Sequence, residues 1–137
     1  MTPLLLDTCA IIWTAEAALG PSKAREAMRD AYHSGQPVYV SPISAWEIGM
    51  LIGKRRLNIR ENPVAWFRRL CAQDGVKLAD LSVEMLMASG TLPDLDHGDP
   101  ADRIIIATAR EHGLRIVTRD RKILDYADKG HVMAMEC

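Results

Sequence analysis

Five acidic side chains stand where they could do more than solubilise a surface: Asp7, Glu47, Asp99, Asp102 and Asp120. Asp7 ends a run of three leucines, and Glu47 lies in SPISAWEIGM. Asp99 and Asp102 are three apart in HGDPADRIIIATAR, ahead of a long apolar run, and Asp120 follows the apolar stretch LRIVT. One acid in such a place is ordinary, because turns and helix starts favour negative charge beside free N–H groups. Several acids at one edge of a fold are costly. Two like charges ~4 Å apart repel by roughly 1 kcal/mol in water and by ~4 kcal/mol at an effective dielectric of 20. Such a cluster must either raise its pKa values or bind a cation. No His or Cys set at ligand spacing accompanies these acids, so a bound ion would be Mg2+ or Mn2+ rather than zinc. Those ions serve phosphoryl chemistry, orienting water and neutralising charge on phosphate.

The elements that would position these acids are short and alternate. Leu4-Leu5-Leu6, Val38-Tyr39-Val40, residues 76–81, residues 115–118 and, more weakly, residues 132–135 read as strands. Between them lie helix-length stretches. The first runs from about Cys9 to Ala17 and breaks at Gly20-Pro21. Others begin at Ser22, Ser41-Pro42, Asn62-Pro63, Ser82 and Asp99-Pro100, residues suited to N-caps and first turns. The helix from Pro100 is expected to stop at Gly113, and residues 123–127 form the last one. This alternation predicts one α/β domain over residues 1–137: a three-layer sandwich with about five mostly parallel strands. In such sheets ligands bind outside the carboxyl ends of the strands. Asp7, Glu47, Asp99, Asp102 and Asp120 all fall at or just past that edge.

The bulk composition agrees with a folded domain and narrows its class. The 137 residues are 26% charged and 48% hydrophobic, with a net charge of −1. No global basic field is available for non-specific nucleic-acid binding, so such contacts must be local. Three widely spaced cysteines, Cys9, Cys71 and Cys137, argue against a disulfide framework or zinc site and for a reducing compartment. There is no signal-peptide pattern and no membrane-span pattern, so a cytoplasmic location is expected.

Four stretches together, LLLDTCAIIW, SPISAWEIGMLIGKRRL, HGDPADRIIIATAR and LRIVTRDRKIL, resemble in order and spacing the PIN domains, in particular VapC-type toxins of type II toxin–antitoxin pairs. The resemblance covers essentially the whole chain. It implies an endoribonuclease that hydrolyses single-stranded or structured RNA with Mg2+ or Mn2+. It further implies a homodimer neutralised by a cognate VapB-type antitoxin. Carried over by position, Asp7, Glu47, Asp102 and Asp120 match the family's catalytic and metal-holding acids. Asp99 matches an extra acid that many members lack. The family varies at Asp120, and some members place an acid three residues later, where this chain has Ile123. The resemblance implies in-line attack by a metal-activated water, with Asp7, Glu47 and Asp102 holding the ion and one carboxylate accepting the proton. Thr8, Ser44 and Thr118 occupy hydroxyl positions suited to orienting carboxylates.

Two other readings compete. A non-catalytic PIN-like module would act through antitoxin and operator binding alone, but it need not keep every acid. A phosphoaspartyl enzyme with Asp7 as acceptor is disfavoured because DTCA lacks a second acid two residues on. Among the remaining residues, Cys9 is expected to pack in the core rather than act as a nucleophile, and His97 is a loop residue beside the acids. Lys54, Arg55, Arg56 and Arg60 read as a solvated helix end, with phosphate or antitoxin contact as the second reading. Arg119, Arg121 and Lys122 are better placed for backbone phosphates. Trp13 and Trp46 are expected in the core or at an interface, and Met28, Met50, Met85 and Met87 as core filler.

Overall fold

The computed structural model describes residues 2–16, 22–95 and 98–137. The expected break at Gly20-Pro21, the expected helix end at Ala17, and His97 lie outside the described residues. Five parallel strands form one sheet in the order β3-β2-β1-β4-β5: β1 (Leu4–Leu6), β2 (Val38–Val40), β3 (Val76–Leu78), β4 (Arg115–Thr118) and β5 (Met133–Glu136). The helices are α1 (Thr8–Ala15), α2 (Lys23–His33), α3 (Pro42–Gly53), α4 (Pro63–Cys71), α5 (Val83–Ser89), α6 (Pro100–His112) and α7 (Arg121–Asp128).

Strand alternation sorts the core into two layers. Leu4, Leu6, Val38, Val40 and Val117 meet Ala10 and Ile11 of α1, Ala24 and Ala31 of α2, and Leu70 of α4. On the other face Leu5 and Ile116 meet Ile105, Ile106 and Ala109 of α6 and Ile123 and Tyr126 of α7. Successive strand residues point to opposite faces, so three consecutive buried leucines in β1 require helices on both sides. The edge strands are more exposed, and β3 ends at Leu78 rather than at residue 81. After one further bond from the Ala79 N–H to the Val40 carbonyl, the chain turns toward Ser82, which caps α5 through the Met85 N–H.

The helix starts follow local chemistry. Ser22, Ser41, Asn62, Ser82, Asp99 and Asp120 are N-caps, and Pro42, Pro63 and Pro100 occupy first turns. Gly113 closes α6 at φ +64°, a left-handed conformation that a Cβ would strain. Two core expectations fail: Met50 and Met87 are 40% and 73% exposed. Trp46, expected in the core or at an interface, is 51% exposed. They lie on outward faces of α3 and α5, whose inward positions are filled by Ile48 and Met85. No described helix is long and apolar enough to cross a membrane.

Candidate active site

From β1 the chain steps outward to β2 and β3, then crosses to β4 on the other side of β1. That reversal opens a crevice at the carboxyl ends of β1 and β4, where such sheets bind ligands. Asp7 leaves β1 on one side of it, and Asp120 leaves β4 on the other. Helix α3 follows β2 and carries Glu47 in its second turn. Helix α6 precedes β4, so as a crossover helix it starts at this same edge and presents Asp99 and Asp102 there. The result is a cavity of about 390 Å³ lined by Asp7, Glu47, Asp99, Asp102 and Asp120, with Thr8, Trp13 and Arg119 among its other walls. A larger cavity of about 660 Å³ involves Gly113, His131 and Met133 and gathers no cluster of acids.

Each acid is held differently. Asp7, 5% exposed, accepts hydrogen bonds from the Thr8 N–H at 2.8 Å and from the Thr118 hydroxyl at 2.7 Å. Burial pushes its pKa up, and those two bonds oppose the rise. Glu47 accepts from the Thr8 hydroxyl, which also shares a 2.9 Å hydrogen bond with Ser44. Its carboxyl too is raised, first by burial, with Asp7 and Asp99 adding repulsion. Two of the three hydroxyls singled out in the sequence therefore hold carboxylates, Thr118 on Asp7 and Thr8 on Glu47, and the third, Ser44, stands behind Thr8.

Asp99 and Asp120 are the N-caps of α6 and α7. Asp99 accepts from the Ala101 and Asp102 N–H groups at 3.0 and 3.2 Å. Asp120 accepts from Lys122 at 2.8 Å and Ile123 at 3.4 Å, and its own N–H donates to the Thr118 hydroxyl. That capping role of Asp120 was not read from the sequence, although an acid two residues past a strand and just before a helix carries the signal. Asp102 has no such occupation. Only 7% exposed, it receives no hydrogen bond from any described residue, and its pKa is pushed up to about 8. Burial is the main cause, followed by the charges of Asp120, Asp99, Asp7 and Glu47. Cys9, beside Asp7, is driven to about 12 by burial and by that acid, so it is no nucleophile at neutral pH.

Three contacts that sequence reasoning missed brace this arrangement. Arg103, next to Asp102, donates to the Ser89 and Leu95 carbonyls and ties the segment before Asp99 to α6. Arg119 lies 3.7 Å over the ring of Trp13, so Trp13 faces the site rather than only the core. The Arg119 Nε also donates to the Cys137 carbonyl at 2.7 Å. A half-buried aromatic shortly after Asp7 was the available signal.

The donor chemistry fits a hard divalent cation, since five carboxylates and no imidazole among the described residues wall the cavity. Among the described residues, no three acid, His or Cys side chains are already closed into a ligating cluster. Mutual repulsion keeps such carboxylates apart until a cation screens it.

Comparison with known proteins places this geometry. A family model described as the PIN domain matches residues 4–129. Ribonuclease VapC22 of Mycobacterium tuberculosis is 33% identical over 124 residues, spanning 90% of this chain and 91% of that protein. Among solved structures, VapBC2 from Rickettsia felis, bound to a DNA fragment from their promoter, superposes with a TM-score of 0.68 at 14% identity, covering 97% of each chain. FitAcB from Neisseria gonorrhoeae gives 0.55 at 24% identity, covering 96% of each. At such identities these two likenesses speak to fold alone. The family match over nearly the whole chain and the 33% identical relative settle membership: the chain belongs to the PIN domain family.

Proposed function

We propose that this protein is a metal-dependent endoribonuclease toxin of the VapC type. One observation carries the reading: five carboxylates converge on the crevice between β1 and β4, and one of them, Asp102, is buried with no described residue donating to it. A buried carboxylate among four other acids is a liability for folding and an asset for holding a cation. Asp7, Glu47 and Asp102 would hold Mg2+ or Mn2+, with Asp120 and Asp99 contributing from the caps of α7 and α6. When bound, such an ion supplies a nucleophilic water at neutral pH and neutralises charge on the phosphate.

The chain's own residues do the rest. Thr118 and Thr8 aim the carboxylates of Asp7 and Glu47, and their removal would leave those acids free to swing. Asp102 carries a proton near neutral pH that cation binding would displace, which makes binding proton-coupled. The 33% identity to a ribonuclease supports RNA as substrate. Incubation of purified protein with total RNA, with Mg2+ or Mn2+ and then with EDTA, tests the reading. Cleavage should need the ion and vanish in Asp7→Asn and Glu47→Gln variants that still fold; full cleavage by both would end it.

We also read a VapB-type antitoxin as the partner and a homodimer as the assembly. The exposed apolar side chains of Trp46 and Met50, one turn apart on α3, support a docking surface of this kind. The whole chain, 1–137, reads as one such domain, because β5, beyond the family match, completes the sheet against β4. A cytoplasmic location goes with this function.

A further inference from the structure

We propose that Arg119 is a prefixed clamp for a backbone phosphate of the RNA strand entering the acidic cavity, and that Trp13 positions it. This rests on the ribonuclease reading for the identity of the anion. A cavity walled by five carboxylates must admit a polyanion, and Arg119 is the one basic side chain among the described residues that line it. The neighbouring cations are otherwise engaged or placed. Arg121 pairs with Asp125 at 3.3 Å on α7, and Arg103 is drawn to the Ser89 and Leu95 carbonyls. Lys54, Arg55 and Arg56, like Lys122, lie outside the lining.

The guanidinium of Arg119 is held in two ways. Its Cζ sits 3.7 Å from the centre of the Trp13 ring, which fixes the plane. Its Nε donates to the Cys137 carbonyl at 2.7 Å, which fixes rotation within that plane. A guanidinium has five N–H donors; beyond its bond to the Cys137 carbonyl it also reaches the Cys137 thiol, a weak acceptor, so most of the Nη donors stay open to a phosphate. That fork matches two oxygens of a phosphate, and its rotamer freedom is already lost before the ligand arrives. The side chain is nevertheless exposed, as a substrate contact must be. It also follows Thr118, whose hydroxyl orients Asp7, so the clamp and the group that orients that acid are carried by the same strand end.

Fluorescence anisotropy of a labelled single-stranded RNA of mixed sequence, with Ca2+ as a hard cation and over a range of salt, tests the clamp. Arg119→Gln should weaken binding about tenfold, as expected for a lost charge-assisted pair, and flatten the log–log salt slope by about 0.7, the contribution of one phosphate on a single strand. Arg119→Lys and Trp13→Phe keep the charge, so the slope should persist while affinity falls a few fold through lost geometry. Wild-type affinity and slope in Arg119→Gln would overturn the clamp, as would a wild-type protein that binds no RNA. Loss of the Mn2+-induced rise in melting temperature in Arg119→Gln would also overturn it, by showing a merely structural role. If the wild type binds RNA with the Arg119-dependent slope yet never cleaves it, the clamp stands and the nuclease reading falls.

Discussion

Replacing Asp102 by Asn should make the metal-free protein more stable while disabling it. The carboxyl is 7% exposed, faces four other acids, and has its pKa raised from 3.8 to about 8. The folded state therefore prefers the protonated form, whereas the unfolded chain ionises freely. Stability from this group is complete below the unfolded value and drains away as pH rises through about 8. At 1.36 kcal/mol per pKa unit the ceiling is about 6 kcal/mol, and relief by solvent in the open cavity brings the expected cost to about 2 kcal/mol at pH 8. Asparagine is nearly isosteric, carries no charge, and offers an NH2 to neighbouring carboxylates. In EDTA at pH 8, Asp102→Asn should therefore melt roughly 6–10 °C above the wild type, given the usual conversion for a domain of this size. Near pH 5, still above the unfolded value, the gap should shrink to about a third of that. Saturating Mn2+ should reverse the order, since an ion at a hundred times its dissociation constant adds about 2.7 kcal/mol to whichever protein binds it. Differential scanning fluorimetry across pH, with and without Mn2+, reads all three effects. A variant no more stable than wild type at pH 8 in EDTA, or a gap independent of pH, would refute the electrostatic account of Asp102.

The other acids separate by occupation. Asp99→Ala removes the α6 cap and should cost about 1 kcal/mol in urea melts, whereas Asp99→Asn, which keeps a capping oxygen, should cost a few tenths. If both cost the same, the capping assignment is wrong. Thr118→Val keeps the shape but deletes the donor to Asp7 and the acceptor for the Asp120 N–H. Metal affinity, measured by calorimetry, should fall about 10- to 100-fold; an unchanged value would mean that Asp7 needs no orienting hydroxyl. Isothermal titration at two pH values either side of 8 should show proton release on Mn2+ binding only at the lower one, and equal release at both would contradict the raised carboxyl of Asp102.

Much of the fold was legible because each element carries its own punctuation. Ser22, Ser41, Asn62, Ser82 and Asp99 cap the helices they were expected to cap, and Gly113 ends α6, since capping is settled within a few residues of chain. Three buried leucines before Asp7 marked a central strand. The exposure of Met50 and Met87 was not legible, because apolar type reports what a side chain prefers and not which way its helix is turned.

For the site, the sequence by itself determined which acids stand at strand ends and in the first turns of helices. Only the tertiary structure decided their division of labour. Asp99 and Asp120 spend oxygens on N–H groups of their own helices, Asp7 caps α1 and is also gripped by the distant Thr118, Glu47 is gripped by the distant Thr8, and Asp102 is buried with no donor among the described residues. Whether a carboxylate is satisfied depends on long-range neighbours and on solvent access, and neither is encoded in spacing along the chain. The same holds for Arg119, one of three cations beside Asp120 that the sequence offered for phosphates, which becomes a fixed one only because α1 carries Trp13 beneath it.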